Sequence, residues 1–210
     1  MKILVVGASQ GTGALAVKEA LKRGHTVTAF ARSPERIGVE HAQLTLKKGD
    51  FHRAEDVRAA VREQDAVLIT AAPNKLKIFK EHPHYFSEGT RFAIDAMKEH
   101  GVKRLVVLSA AGTGNSRNHA PFVFDKILIP LLLKIPYQDH ERQEALVMAS
   151  DLDWVIARPT RLTDGAAEHR YKKEIDGRVP NSISRADVAD FLVDAATSDN
   201  WLKKAVTLGG

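Results

Sequence analysis

The amino-acid sequence predicts an α/β fold: a doubly wound, mostly parallel sheet in a single domain over residues 1–210, with a small C-terminal lobe. Three observations carry this. Short β-branched apolar runs alternate with amphipathic stretches along the chain. A glycine-rich loop follows the first apolar run at once and opens the first amphipathic stretch. The length, 210 residues, suits one sheet buried under two layers of helix.

The predicted strands are Ile3–Val6, Thr26–Ala31, Gln43–Leu46, Ala66–Thr70, Arg104–Leu108 and Trp154–Ala157, with Ala205–Leu208 closing the sheet. They are apolar on both faces, as parallel strands between two helical layers must be. The predicted helices are Thr12–Arg23, Ala54–Arg62, Tyr85–His100, Gln138–Ser150 and Arg185–Thr197. Gly24 and Gly101 stand where a left-handed residue would end the first and third of these. Ser184 with Asp187 three residues on is a capping-box arrangement for the last helix, with Asp in place of Glu. Loops around Thr163–Pro180 set off the C-terminal third as a lobe over the carboxyl edge of the sheet, where a substrate would bind.

Composition narrows the function classes. There is no cysteine, which excludes disulfides, thiolate-bound metals, iron–sulfur clusters and cysteine nucleophiles. The net charge is +5, but Lys and Arg are scattered among acids with no basic arm or stripe, so no nucleic-acid partner is expected. The apolar run Ile3–Val6 is too short for a signal segment, and a cytoplasmic protein is the default expectation. His52, His82 and His84 lack ligand spacing, and no metal site is expected. Pro121–Pro136, PFVFDKILIPLLLKIP, is shorter than a membrane span and broken by charges and Pro130. It reads as a core or lid helix, or else as a membrane-surface or subunit contact.

The strongest motif is Gly7-Ala8-Ser9-Gln10-Gly11-Thr12-Gly13, between a strand and a helix. Gly7 permits the tight turn, Gly11 lets a pyrophosphate approach the backbone, and Gly13 lets helix and sheet pack closely. Ser9, Gln10 and Thr12 complete a cradle at a helix N-terminus, where free N–H groups and the dipole favour an anion. This is the signature of a Rossmann-type dinucleotide site. At the end of the second strand an NAD-binding chain usually places an acid for the ribose 2′-hydroxyl. This chain has Arg32-Ser33, with Arg36 beyond, which suits a 2′-phosphate and so NADP(H). After the third strand, Asp50 either accepts from the adenine amino group or caps the helix from Ala54, and Phe51 can cover the ring. Ala71, Ala72 and Pro73 would line the cofactor with small side chains.

Taken together, GASQGTG at Gly7–Gly13, FARSPER at Phe30–Arg36, GDF at Gly49–Phe51 and DAVLIT at Asp65–Thr70 resemble the atypical short-chain dehydrogenases/reductases. So do AMKEHGVKRLVVLSA at Ala96–Ala110, DHERQEAL at Asp139–Leu146, ARPTRLTDG at Ala157–Gly165 and ISRADVADFL at Ile183–Leu192. The likeness is to the NAD(P)H-binding group that contains flavin reductase / biliverdin-IXβ reductase, and it covers nearly the whole chain. The chain departs from its relatives in three places. The glycines are spaced G-x-x-x-G-x-G, as in the larger dehydrogenase branch. No Tyr-x-x-x-Lys is present, since Tyr85, Tyr137 and Tyr171 precede Gly89, Glu141 and Ile175 at that spacing. The segment that carries a histidine in biliverdin-IXβ reductase reads Arg158-Pro159-Thr160-Arg161.

Without a phenol–ammonium pair, hydride transfer to a planar conjugated acceptor (flavin, quinone or biliverdin-like) fits better than alcohol–ketone chemistry, which needs a proton donor at the oxygen. Ser109, after the fifth strand, and His140, read as opening a helix near the same edge, are the candidate catalytic residues. Ser109, Pro159, Thr160 and Arg161 would also meet the cofactor. The expected partner is a small planar substrate, and the chain is expected to be a monomer or weak homodimer with no membrane span. The alternative is an NADP(H)-binding redox sensor of the NmrA-like kind, without turnover.

Overall fold

Strand formation follows the apolar runs. In the computed structural model, which describes residues 1–73 and 75–210, β1 (Lys2–Val6), β2 (Thr26–Ala31), β4 (Ala66–Ile69) and β5 (Arg104–Leu108) lie where β-branched runs predict them. With β3 (Leu44–Lys48), β6 (Asp153–Pro159), β8 (Lys172–Glu174) and β10 (Lys204–Gly209) they form one sheet in the order β3-β2-β1-β4-β5-β6-β10-β8. All pairings are parallel except β8 with β10. Two short strands, β7 (Arg161–Thr163) and β9 (Ser182–Ser184), form a separate parallel ladder.

Helices cover both faces. Against one face, α1 (Gly11–Lys22) and α6 (Arg185–Thr197) bury Ala16, Val17, Ala20, Val188, Leu192 and Ala196 on Ile3, Val5, Val27, Val155 and Val206. Against the other, α2 (Ala54–Val61), α4 (Tyr85–His100) and α5 (Lys134–Met148) cover Leu4, Val67, Leu105 and Ile156. A single helical turn, α3 (Ile78–Glu81), precedes α4. Left-handed glycines end helices as expected: Gly101, at φ 70°, donates its N–H to Met97 O, and Gly24, at φ 79°, donates to Leu21 O. Ser184 Oγ accepts from Asp187 N at 2.9 Å and caps α6. The reciprocal half of the box is not made. Asp187 Oδ1 instead accepts from the backbone N–H groups of Glu168 and His169, tying the C-terminal loop to the helix.

Three expectations are corrected. The strand of residues 204–209 does not close the sheet: β10 is inserted between β6 and the antiparallel edge strand β8. The sequence Lys172-Lys173-Glu174 has no apolar signal because an edge strand beyond the core needs none. The segment 121–136 is not core. Residues 124–133 form a π-helix that runs directly into α5, and it exposes Leu131 (76%) and Leu132 (65%) beside Phe122 (73%). Only Asp125 and Ile129 of that helix are buried. His140 lies inside α5, not at its opening, because the helix begins at Lys134. No helix among the described residues is long and apolar enough to cross a membrane.

Backbone packs closely under the glycine loop. A Cβ on Gly13 would stand 2.3 Å from Gly7 O and 2.5 Å from Thr70 Oγ1. Backbone cannot yield there as a side-chain tip could. Gly13→Ala is therefore expected to cost about 1–3 kcal/mol, the usual range for overpacking, seen as a lower urea midpoint with unchanged slope. A variant as stable as the parent would mean that α1 can move away from the sheet.

Candidate functional site

The site forms where the carboxyl ends of β1, β2 and β4 meet, the point at which strand order reverses. Gly7, at φ 87°, turns the chain out of β1, and its N–H donates to Phe30 O at the end of β2. A Cβ on Gly7 would stand 2.5 Å from Ala71 Cα, so the turns after β1 and β4 touch backbone to backbone. Thr70 Oγ1 donates to Val6 O at 2.8 Å and fixes that contact. Gly11 differs from the other two. It has φ 56°, and open space lies over it except for Arg185 Nε, 4.0 Å from an ideal Cβ. Gly7 and Gly13 are glycines because protein is too near; Gly11 opens onto a cavity.

That cavity has a volume of about 610 Å³, within the range of cofactor sites. From the glycine loop it is lined by Gly7, Ser9, Gln10, Gly11 and Thr12, with Gly13 buried beneath. Arg32, Ser33 and Arg36 line it from the turn after β2. Asp50 and Phe51 line it from the turn after β3, and Ala71, Ala72 and Pro73 from the turn after β4. Among the described residues, neither Arg32 nor Arg36 forms an ion pair. Asp50 does not cap α2 with its side chain. Its Oδ1 accepts from His52 N at 3.0 Å, and Arg53, the residue at the N-cap of α2, has no side-chain cap. Phe51 is buried, and a Cβ on Gly89 of α4 would strike its ring. The residues present fit a dinucleotide: an open glycine at a helix N-terminus for the diphosphate, and paired guanidinium groups at the ribose end.

The lining also includes residues that the sequence does not mark as site residues: Val6, Phe30, Ala31 and Gly49 beside the predicted ones, and others farther off. Thr70, Tyr85, Leu108, Leu162, Asp164 and Arg185 also face the cavity. In the sequence Tyr85 stands out only as a helix start and as a tyrosine without a lysine four residues on. Burial pushes its phenol above the ordinary value, the Arg32 charge opposes that shift, and Asp50 adds to it. Leu108 and Leu162 adjoin Ser109 and Arg161, which do not line the cavity themselves, and neither do Pro159 and Thr160. Thr160 is occupied with the sheet: its N–H and Oγ1 both reach Leu208 O, at 2.9 and 3.1 Å.

Behind the carboxyl end of β5 lies a polar cluster that the sequence does not announce. One face of α5 carries Asp139, His140, Gln143 and Glu144, all buried. Asp139 accepts from Phe86 N at 2.6 Å and Ser87 Oγ at 2.5 Å, capping α4 from outside, where His84 supplies no side-chain cap. Gln143 Nε2 donates to Thr90 Oγ1 at 2.9 Å. Glu144 receives Arg158 in a forked pair, Nε to Oε1 at 2.9 Å and Nη2 to Oε2 at 2.6 Å. Its Oε1 also accepts from Ser109 Oγ at 2.6 Å and Thr113 Oγ1 at 2.8 Å. Burial alone would raise the Glu144 carboxyl, but the Arg158 bonds and charge, with the two hydroxyls, outweigh it and hold the group below its ordinary value. A Cβ on Gly114 would strike Arg158 Nη2, so Gly114 makes room for the guanidinium. His140 stacks on Phe86 with ring centres 3.9 Å apart, its Nδ1 3.0 Å from Gln143 Oε1, and it does not line the cavity. Burial lowers its pKa despite that bond and the nearby acids. One signal could have found the cluster: Arg158 lies in a run destined for the sheet interior, and a buried guanidinium needs a carboxylate.

Two outcomes follow. Glu144→Gln removes the charge that balances a guanidinium only 1% exposed, and should cost about 3–5 kcal/mol in denaturant melts. Replacing both partners, Glu144→Met with Arg158→Leu, should recover most of it; equal losses in single and double variants would assign the cost to packing. The second outcome is a pH dependence. His140 is held neutral in the fold, below its ordinary value of 6.5. Between that value and its lower folded one, the unfolded chain binds more protons. The contribution of His140 is thus intact above about pH 6.5 and lost as pH falls through that window. Thermal midpoints from pH 8 to 5 should fall less steeply for His140→Gln than for the parent; parallel curves would remove His140 as the cause.

The family described as NAD(P)H-binding matches residues 7–199 of the chain. Over 210 aligned residues the chain is 30% identical to the uncharacterised protein YwnB of Bacillus subtilis (strain 168), covering 92% of this chain and 91% of that one. Among solved structures, a short-chain dehydrogenase/reductase of Veillonella parvula in complex with NADP superposes with a TM-score of 0.83 at 18% identity, over 100% of this chain and 94% of that chain. ChuY, an anaerobillin reductase of Escherichia coli O157:H7, superposes with a TM-score of 0.78 at 23% identity, over 100% of this chain and 97% of that chain. With the glycine cradle at the switch point of a parallel sheet, these likenesses establish that the chain belongs to the NAD(P)H-binding family and has the fold of the short-chain dehydrogenases/reductases.

Proposed function

We propose that the chain works as one unit, an NADPH-dependent reductase that delivers hydride to a planar conjugated acceptor such as a flavin, a quinone or a biliverdin-like tetrapyrrole. The observation that carries the cofactor choice is the pair Arg32 and Arg36, which line the cavity after β2 without an ion-pair partner among the described residues. In this reading they hold the 2′-phosphate. Gly7 to Thr12 hold the diphosphate, and Asp50 and Phe51 border the adenine. Ala71, Ala72 and Pro73 keep the path clear, and Leu108 and Leu162 border the nicotinamide end, with Ser109 and Arg161 next to them in the chain but outside the cavity lining. Reduced nicotinamide, when bound, supplies the hydride.

The acceptor class follows from what this chain's own residues can do with protons. Ser109 donates its hydroxyl proton to the Glu144 carboxylate, which Arg158 and Thr113 hold in place. His140 is buried against Phe86 and bonded to Gln143. Tyr137 donates to Ala111 O, and burial pushes its phenol up to about 12. In this reading Ser109 orders the site and His140 has a structural part, so the acceptor must take its proton from water. A conjugated acceptor does this more readily than a ketone. ChuY, whose described activity is reduction of anaerobillin, supports the tetrapyrrole member of the class, and the Veillonella parvula complex supports NADP(H).

A sensor without turnover is the second reading, and one observation favours it: the exposed apolar ridge from Phe122 to Ile135 could receive a regulated partner. In the reductase reading the chain acts as a monomer or weak homodimer in the cytoplasm. NADPH should bind at least tenfold tighter than NADH, the effect of one charge-assisted hydrogen bond of about 1.5–3 kcal/mol, and Arg32→Asp should reverse the order. Single-turnover oxidation of bound NADPH, tried with flavins, quinones and tetrapyrroles, separates the two readings. Ser109→Ala should slow it about ten- to a hundredfold, or about 1.4–2.7 kcal/mol of barrier. Tight NADPH binding with no acceptor faster than the protein-free control would replace the reductase by the sensor.

A further inference from the structure

The cavity wall contributed by the chain beyond β6 consists of Leu162, Asp164 and Arg185. Arg185 is the first residue of α6, and Ser184 caps that helix without help from it. Its side chain is partly buried and reaches back over the glycine loop, where its Nε stands 4.0 Å from an ideal Cβ on Gly11. Gly11 is the open glycine of the cradle. Arg185 is therefore the cation next to the position that the cofactor reading gives to the diphosphate.

The present partner of Arg185 is Asp164, whose Oδ1 accepts from Nη1 at 2.6 Å. Asp164 is 92% exposed. A carboxylate so solvated holds an arginine weakly, since water screens the pair and the side chains lose freedom to make it. A diphosphate at the N-terminus of α1 offers more: two charges, several acceptor oxygens matched to the forked donors of a guanidinium, and shelter from water in the cavity. Arg32 and Arg36 cannot serve there, because they belong to the turn after β2.

Resting on that cofactor reading, we propose that Arg185 is a diphosphate-binding residue that exchanges Asp164 for the bound dinucleotide. Asp164 is then a competitor for the same guanidinium. The exchange ties the C-terminal lobe, which carries both residues, to the cofactor that the first half of the sheet cradles. It acts on the part common to NADPH and NADH, so it sets affinity and leaves the choice between them to Arg32 and Arg36.

Calorimetric titration of the parent, Arg185→Gln, Arg185→Lys and Asp164→Asn with NADPH, NADH, ADP-ribose and adenosine 2′-monophosphate tests this. Arg185→Gln should weaken NADPH, NADH and ADP-ribose by one common factor of roughly tenfold or more, the effect of losing one charge-assisted bond. Arg185→Lys should recover part of the loss. Adenosine 2′-monophosphate lacks the diphosphate and should bind both variants as it binds the parent. Asp164→Asn should bind the three diphosphates more tightly, by about two- to fivefold, the scale of a released surface pair. Should Arg185→Gln fail to fold, Arg185→Lys and Asp164→Asn still decide. Unchanged diphosphate affinity in either Arg185→Gln or Asp164→Asn overturns the proposal, as does an equal loss for adenosine 2′-monophosphate. A parent that binds none of the four probes refutes the cofactor reading itself.

Discussion

Helix α1 starts within van der Waals contact of the turn that leaves β1, and the geometry of the cavity depends on that contact. Gly13 meets Gly7 O, and Gly7 in turn meets the backbone of Ala71. Three segments, from the ends of β1, α1 and β4, thus share one point with no side chain between them. Any Cβ there would push the helix off the sheet. The helix N-terminus would then no longer look into the space between the strand ends, and the unpaired N–H groups would point at protein or solvent. Glycine is needed twice for closeness and once, at Gly11, for openness. The loop is one construction in which packing of the core and access to an anion are settled by the same few atoms.

A second constraint stands behind β5, where the fold buries charge. Helix α5 covers the sheet with acids and amides where a helix in that layer ordinarily brings Leu or Val. The arrangement holds because each group is answered: Asp139 by the N-terminus of α4, Gln143 by Thr90, Glu144 by Arg158, Ser109 and Thr113. A buried pair of this kind adds little net stability over an apolar one but is costly to break. Its contribution is direction. Arg158 is on β6, Ser109 follows β5 and Glu144 is on α5, so the network fixes the loop after β5 relative to two other elements.

Much of the architecture was legible because it rests on local pattern. The limits of α4 and α6 coincide with those read from periodicity and capping residues, and β1, β2, β4 and β5 agree to within a residue. The glycine loop, the two arginines and the turns after β3 and β4 could be placed on one cavity because parallel topology brings those strand ends together. Legibility fails where structure depends on partners distant in sequence. β3 runs from Leu44 to Lys48, starting one residue and ending two residues later than its apolar content indicates, because it is an edge strand and its outward residues carry no signal. α5 shows weak amphipathicity, since the face that should be apolar is polar and the exposed face carries Ile135, Leu146 and Met148. Its Asp139 and Glu144 look like surface acids until Phe86 and Arg158 are set beside them. Arg185 and Asp164 lie more than 150 residues along the chain from the loop they overlook, and no spacing rule links them to it.

The C-terminal lobe gains its position from the sheet and from α6 together. Inserting β10 between β6 and β8 leaves Leu208 O free to hold Thr160, so the chain leaving β6 is pinned before it enters β7. β7 then pairs with β9, and β9 passes without a loop into α6 through the Ser184 cap. Because α6 packs side by side with α1 on the same face of the sheet, and both helices begin at the carboxyl edge, their N-termini lie together. The first residue of one therefore overlooks the first residue of the other, Arg185 above Gly11. Two helix N-termini and a guanidinium facing one cavity concentrate positive potential where a diphosphate would lie. Charge from the C-terminal lobe reaches the cradle through topology alone, with no insertion or separate domain needed to carry it.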